Sequence, residues 1–273
     1  MNFKTISDLF KNTVDKYSSK ELYYYKKGSD WSSINGKTIL YTVTDITNAL
    51  ISKSILKGDK VGILSTNSPK WAMIDYGIIC SGSATVSIYP TLLPSQISYI
   101  INDSGLKVLF LENDDQLSKI KEIWNECDTL EFVVMMNDSF DSETDEVLKF
   151  STFLDIGMSY GNDNPDSFDK STSTISESDL LTLIYTSGTT GTPKGVMLTH
   201  GNLTANIKAT LEAQQFENNE VFLSFLPLSH VFERMCGHFC AFAIGATTYY
   251  AENIESVVDN MKIAKPTRLI SVP

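Results

Sequence analysis

Between Leu183 and Leu198 the chain reads LIYTSGTTGTPKGVML, two apolar runs joined by a stretch of small, flexible residues with one cation near its end. The stretch is Thr186, Ser187, Gly188, Thr189, Thr190, Gly191, Thr192, Pro193, Lys194 and Gly195. Glycines let backbone N–H groups turn toward a bound anion with no Cβ in the way. The hydroxyls add donors, and Lys194 adds a compact positive charge suited to a phosphate. Such a combination could cradle a polyphosphate. It is not a Walker A loop, whose form G-x-x-x-x-G-K-[ST] runs into a helix. Here only Thr189 and Thr190 separate Gly188 from Gly191, and Lys194 is followed by Gly195 and a β-branched strand start. Composition alone fits a solvated turn equally well, because Gly, Ser and Thr are ordinary turn formers. Cys236 and Cys240 with His238 between them have metal-ligating side chains. The two cysteines share a helical face that His238 does not, and no second ligand pair follows, so the pattern disfavours zinc.

The elements that must position these residues are legible as alternating patterns. Thr5-Ile-Ser-Asp8 has the form of a capping box, and Ile6, Leu9, Phe10, Val14 and Tyr17 follow at helical spacing. A second helix is predicted from near residues 42–45, ending at Gly58. Strands are predicted at 61–64, 84–89, 107–111 and 132–136. Between them come a helix opened by Ser68-Pro69, one opened by Pro94 and stopped by Gly105, and one over 116–125. After the loop's two strands, helix is predicted at 202–214, 231–244 and 254–263, and strand at 221–225, 246–250 and 268–272. The fold class is α/β, with alternating βα units and mainly parallel sheets, in which ligands bind beyond the carboxyl ends of the strands. The expected division is a first βα subdomain over 1–136, a surface excursion or junction over 137–178, and a second subdomain over 179–273 carrying the loop.

The bulk numbers bound the function. The chain has 273 residues, 42% of them hydrophobic, and a net charge of 22 − 33 = −11. That charge argues against wrapping nucleic acid. Four scattered cysteines and an N-terminus without a basic region and apolar core imply a reduced, cytoplasmic setting. No apolar run reaches the roughly 18 residues of a membrane span.

TSGTTGTPKGV resembles the phosphate-loop motif of the adenylate-forming (AMP-binding) superfamily. The stretch 58–67 with Trp71, ATVSIYPT (84–91) and YIINDS (99–104) resemble that family's N-terminal part. FLPLSHVFERMCGHFCAFAIGAT (225–247) and KPTRLISVP (265–273) are most similar to its long-chain fatty acyl-CoA synthetase branch. The resemblance covers nearly the whole chain and is weakest over 137–178. It implies a two-step reaction in which a long-chain fatty acid and ATP give acyl-AMP, and coenzyme A then takes the acyl group. It further implies that Thr186, Ser187, Gly188, Thr189, Thr190, Gly191, Thr192 and Lys194 bind the ATP phosphates. Thr186 would be the hydroxyl nearest Mg2+, and His230 would lie by the acyl and adenylate site. His230 is otherwise a helix-start residue bonded to backbone. His200 is expected in a cap, and Glu233 and Arg234 are read as solvated or paired. Phe232, Met235, Phe239 and Phe242 share one helical face, as core or as an acyl-tunnel wall. The resemblance stops at Pro273, so the chain is expected to be the N-terminal part of a larger enzyme, inactive alone. Its cut sheet is expected to expose an apolar groove or to self-associate. Peripheral membrane contact is compatible with the substrate. An adenylate former for another acid or acceptor, or an inactive ligand- or partner-binding homologue, remain as alternatives.

Overall fold

A computed structural model describes residues 2–137, 139–141, 143–186, 193–217 and 219–272. The first helix, α1 (Ile6–Lys16), starts on its predicted box. The Thr5 hydroxyl accepts from the Asp8 N–H, and the Asp8 carboxylate accepts from the Thr5 N–H, each at 3.0 Å. A hairpin that the sequence pattern does not announce follows, β1 (Glu21–Lys27) and β2 (Asp30–Asn35). β1 pairs on both edges, with β2 on one side, and buries adjacent residues Leu22 and Tyr23, so no period-two alternation marks it. Helix α2 (Gly36–Ser52) begins earlier than 42–45 because Asn35 Oδ1 accepts from the Thr38 N–H at 2.9 Å. It also ends before Gly58.

The expected alternation then holds. β3 (Lys60–Leu64), α3 (Pro69–Cys80), β4 (Ala84–Ile88), α4 (Pro94–Ser104), β5 (Leu106–Leu111), α5 (Asp114–Ile123) and β6 (Phe132–Met135) follow in turn. Ser68 caps α3 through the Trp71 N–H at 3.1 Å, and α4 stops at Gly105 with φ +66°. Each β residue set faces both ways. Val108 and Phe110 pack toward α1, α2 and α3, while Leu109 and Leu111 pack toward α4 and α5.

Residues 137–178 are not a surface excursion. They supply β7 (Val147–Lys149), which pairs in parallel with β6, then α6 (Phe150–Asp163) and α7 (Ser167–Ser173). The Ser, Asp and Thr that suggested a loop lie mostly on exposed faces, and Phe150, Phe153 and Gly157 form the buried stripe. α6 lies so close to α2 that a Cβ on Gly157 would stand 1.8 Å from the Asp45 carbonyl oxygen. Gly157→Ala should therefore force the two helices apart and lower stability by about 2 kcal/mol. An unchanged urea midpoint would mean that this packing is wrong.

β8 (Leu180–Thr186) and β9 (Lys194–Thr199) complete the larger sheet, whose order is β7-β6-β5-β3-β4-β8-β9, with only the β8–β9 pair antiparallel. After α8 (His200–Ala213), β10 (Val221–Ser224) begins the crossing back. α9 (Val231–Glu233) continues into a π-helical stretch at Arg234–Cys240 and α10 (Ala241–Ala243). β11 (Thr247–Tyr250) and α11 (Val257–Ala264) follow. The smaller sheet has the order β10-β11-β1-β2. Neither sheet respects the expected boundaries at 136 and 178, since the N-terminal hairpin pairs with strands near the C-terminal end. Residues 268–272 form no strand; an isolated bridge joins Arg268 to Phe222. Leu269 and Val272 are exposed there, as are Ile254 and Val258 nearby. Among the described residues, no helix is long and apolar enough to cross a membrane.

Candidate active site

The carboxyl end of β8 delivers Thr186, and β9 begins with its register partner Lys194. Both are exposed, and Lys194 has no ion-pair partner among the described residues. The predicted phosphate ligands Ser187, Gly188, Thr189, Thr190, Gly191 and Thr192 lie outside the described residues. Beside the two stems is a cavity of about 390 Å³. Thr186 and Pro193 border it from the stems, Ser87 and Tyr89 from β4 and its continuation, and His230 and Val231 from the other sheet's helix. Leu92, Ile100 and Ile184 give it an apolar side. The fold thus brings Thr186 and His230, 44 residues apart in the chain, to one space next to Lys194.

Of the two sequence alternatives, His230 takes the helix-start one, and it also borders the cavity. Its Nδ1 accepts from the Phe232 N–H at 3.2 Å, capping the helix. That bond leaves the neutral ring's proton on Nε2, as a donor. Its backbone is stitched to the larger sheet. The Ser87 hydroxyl donates to the Ser229 carbonyl at 3.2 Å, and Asn67 bonds the Leu228 N–H at 2.8 Å and the Leu226 carbonyl at 2.6 Å. A second cavity of about 300 Å³ adjoins across Tyr89 and is lined by Ser65, Asn67 and Pro90 on one side and Phe225 and Asn253 on the other. Both cavities open where strands of the two sheets end, as parallel-sheet topology predicts.

Behind His230 lies a buried network that sequence reasoning missed. Arg234 and Glu233 are both enclosed, and of the two expectations, solvated or paired, Arg234 takes the second. Arg234 donates to Asp75 through Nε at 2.9 Å and again through Nη2, and through Nη1 to the Thr182 hydroxyl at 2.6 Å. The Thr85 hydroxyl donates to Asp75 Oδ1 at 2.7 Å. Burial works to raise the Asp75 pKa, but the Arg234 charge, with His238, holds the carboxyl below its ordinary range. His238 Nε2 stands 3.6 Å from Asp75 Oδ2, beyond hydrogen-bond reach, and burial favours its neutral form. The available signal was that Asp75 is the lone charge in WAMIDYGIIC and Arg234 heads the apolar run RMCGHFCAFAIGA. Opposite charges in two buried runs must find each other.

The π-helical stretch re-aims these side chains. Phe232 falls off the shared face and is 38% exposed, while Phe239 and Phe242 stay in the core. Glu233 Oε1 accepts from the Ser224 hydroxyl at 2.7 Å, and its Oε2 has no partner among the described residues. Burial pushes its pKa up to about 7. His200 is buried too, and its Nδ1 accepts from the Ile6 N–H at the start of α1, at 3.1 Å. Burial pushes its pKa down to about 4. Among the described residues, no group of three or more His, Cys, Asp or Glu could hold a metal ion.

Two mainly parallel sheets, with a helix-capping His230 on the cavity that Thr186 and Pro193 also border, agree with the match to a known family. The model of the AMP-binding enzyme family matches residues 10–273, and the chain belongs to that family. It is 30% identical over 277 residues to the long-chain-fatty-acid–CoA ligase ACSBG2 of Xenopus laevis, covering 98% of this chain and 37% of that protein. The Homo sapiens ACSBG2 is 30% identical over 275 residues, covering 98% and 40%. The chain therefore spans about two fifths of the length of these curated relatives. Among solved structures, the anthranilate CoA ligase AuaEII superposes with a TM-score of 0.83 at 19% identity, over 98% of this chain and 50% of that one. The long-chain-fatty-acid–CoA ligase FadD1 of Archaeoglobus fulgidus gives 0.81 at 23% identity, over 99% and 52%. At these identities the structures establish the fold.

Proposed function

We propose that this chain is part of an ATP-dependent long-chain fatty acid–CoA ligase and carries its phosphate-binding and acyl-activating portion. The observation that carries this reading is the single cavity shared by Thr186, Pro193 and His230 beside the exposed Lys194. In the first step, a fatty carboxylate oxygen bonds to the α-phosphorus of ATP. The bond from that phosphorus to the bridging oxygen breaks, and pyrophosphate leaves. In the second, the sulfur of coenzyme A bonds to the acyl carbon, the bond from that carbon to the phosphate oxygen breaks, AMP leaves, and the thiol proton is released to solvent. Such phosphoryl chemistry needs positioning and charge neutralisation more than covalent help. Lys194 supplies the positive charge, Ser187 to Thr192 supply donors to the β- and γ-phosphates, and Thr186 fixes the entry of that segment. His230 offers Nε2–H to an oxygen of the carboxylate or of the adenylate. The apolar side formed by Leu92, Ile100 and Ile184 takes the start of the acyl chain.

Thr186 is exposed and, among the described residues, no metal-binding group of His, Cys, Asp or Glu is present, which fits a magnesium ion held mostly by phosphate oxygens and water. The ion would supply further neutralisation of phosphate charge. A cytoplasmic setting, peripheral contact with a membrane that dissolves the substrate, and self-association along the β10 edge near exposed Leu269 and Val272 belong to the same proposal.

Calorimetry of Mg-ATP binding to the chain tests it. Lys194→Ala should weaken binding by about 10-fold or more, the worth of a charge-assisted contact. Equal affinity in the variant would remove Lys194 from the phosphate site.

A further inference from the structure

The two stems of the β8–β9 connection are both held by one helix. On α4, Tyr99 and Asp103 stand one turn apart and face the stems. The Tyr99 hydroxyl donates to the Pro193 carbonyl at 3.0 Å, just before β9 begins. The Tyr185 hydroxyl donates to Asp103 Oδ2 at 2.6 Å, just before Thr186. The two tyrosine rings meet edge to face at 6.4 Å, and the Tyr185 ring lies over Gly195, its register partner, where a Cβ would stand 3.0 Å from it. α4 is itself fixed, because Ile97, Ile100 and Ile101 are buried in the core under the larger sheet. The antiparallel pairing of β8 with β9 fixes the distance between the stems but not their direction relative to the cavity. A hydrogen bond from outside the pair to each stem fixes that too.

We infer that α4 is a brace for the connection, and that Tyr99 and Asp103 are positioning residues that set where Thr186 and Lys194 stand. The inference rests on the reading that these stems carry the phosphate site, and it adds the residues that aim them. Tyr99 acts on the outgoing stem through the peptide that bears the Lys194 N–H. Asp103 acts on the incoming stem through the side chain that precedes Thr186. Neither residue borders the cavity as a ligand-facing polar group.

Hydrogen exchange tests the brace without any ligand. Tyr99→Phe keeps the ring contact and removes the hydroxyl, so amide exchange at Lys194 and Gly195 should rise about fivefold, as for one lost hydrogen bond, with β3 and β5 unchanged. Asp103→Ala should do the same at Thr186. Asp103→Asn, which can still accept from Tyr185, should stay near the wild type. Calorimetry with Mg-ATP should then show weaker binding in Tyr99→Phe at an unchanged unfolding midpoint. Unchanged exchange at Lys194 and Gly195 overturns the brace, whatever the nucleotide does. A wild-type chain that does not bind Mg-ATP, with exchange responding as stated, counts against the phosphate reading and leaves the brace standing.

Discussion

Replacing Arg234 by Met should lower the stability of the chain by about 4 kcal/mol, because it leaves the Asp75 carboxylate buried without its counter-charge. Asp75 is fully enclosed, and Arg234 provides its charged partner on two sides. The Thr85 hydroxyl and a neutral His238 cannot replace a guanidinium. Asp75→Asn combined with Arg234→Met removes both charges and should recover most of the loss, since a buried ion pair against a neutral pair of similar shape is nearly balanced. A double-mutant cycle in urea reads the coupling directly. The deficit of Arg234→Met should also shrink as the pH falls. Without Arg234, burial is opposed only by His238, whose own burial disfavours its charge, so the protonated form of Asp75 is favoured and acid restores a neutral core. Simple additivity of the two single changes, or a loss below about 1 kcal/mol for Arg234→Met, would contradict the network. Its place in the molecule explains why it matters for the site. Arg234 follows His230 by one helical turn and bonds Thr182 on β8, the strand that ends in Thr186. One buried side chain therefore holds the two cavity-facing groups in a common frame.

That frame marks the limit of what the sequence could reveal. Signals confined to one turn of chain were legible, such as the Thr5–Asp8 box, the Ser68 cap and the stop at Gly105, because local geometry decides them. The strands on either side of the Thr/Gly run and the helix start at His230 were legible too. Arg234 and Asp75 lie 159 residues apart, and nothing near either one names its partner. The β1–β2 hairpin escaped because its first strand is sandwiched between β2 and the distant β11 and shows no alternation. The strand and two helices within residues 137–178 escaped because their polar composition was read as a surface excursion or junction. Only the packing of Gly157 onto the backbone of Asp45 reveals a helix that needs a small residue at its contact. In each case a tertiary partner supplied what local pattern lacked.

His200 and Glu233 should give the chain opposing pH dependences, each of about 3 kcal/mol, visible when one is removed. His200 goes from its usual 6.5 to about 4 in the fold because burial disfavours its charge. Above pH 6.5 it is neutral in both states, and its contribution is fully present. As the pH falls from 6.5 to 4, the unfolded chain takes up a proton that the folded chain refuses, so stability declines through that window. Glu233 goes from 4.5 to about 7, again because burial disfavours its charge. Below pH 4.5 it is protonated in both states and stabilises fully. As the pH rises from 4.5 to 7, the unfolded chain releases a proton that the folded chain keeps, so stability again declines. Between 4.5 and 6.5 the two slopes oppose each other. Glu233→Gln matches the neutral acid in shape and can still accept from Ser224, so it should leave stability unchanged near pH 4.5. Above pH 7 it should raise stability by about 3 kcal/mol. His200→Asn keeps an acceptor for the Ile6 N–H and should flatten the acid limb between 6.5 and 4, whatever its absolute stability. Urea midpoints measured from pH 4 to pH 8 decide the matter. A Glu233→Gln curve that runs parallel to the wild type would mean that Glu233 is charged in the fold, and that the Ser224 hydroxyl with the π-helical turn around it solvates the carboxylate far better than its burial implies.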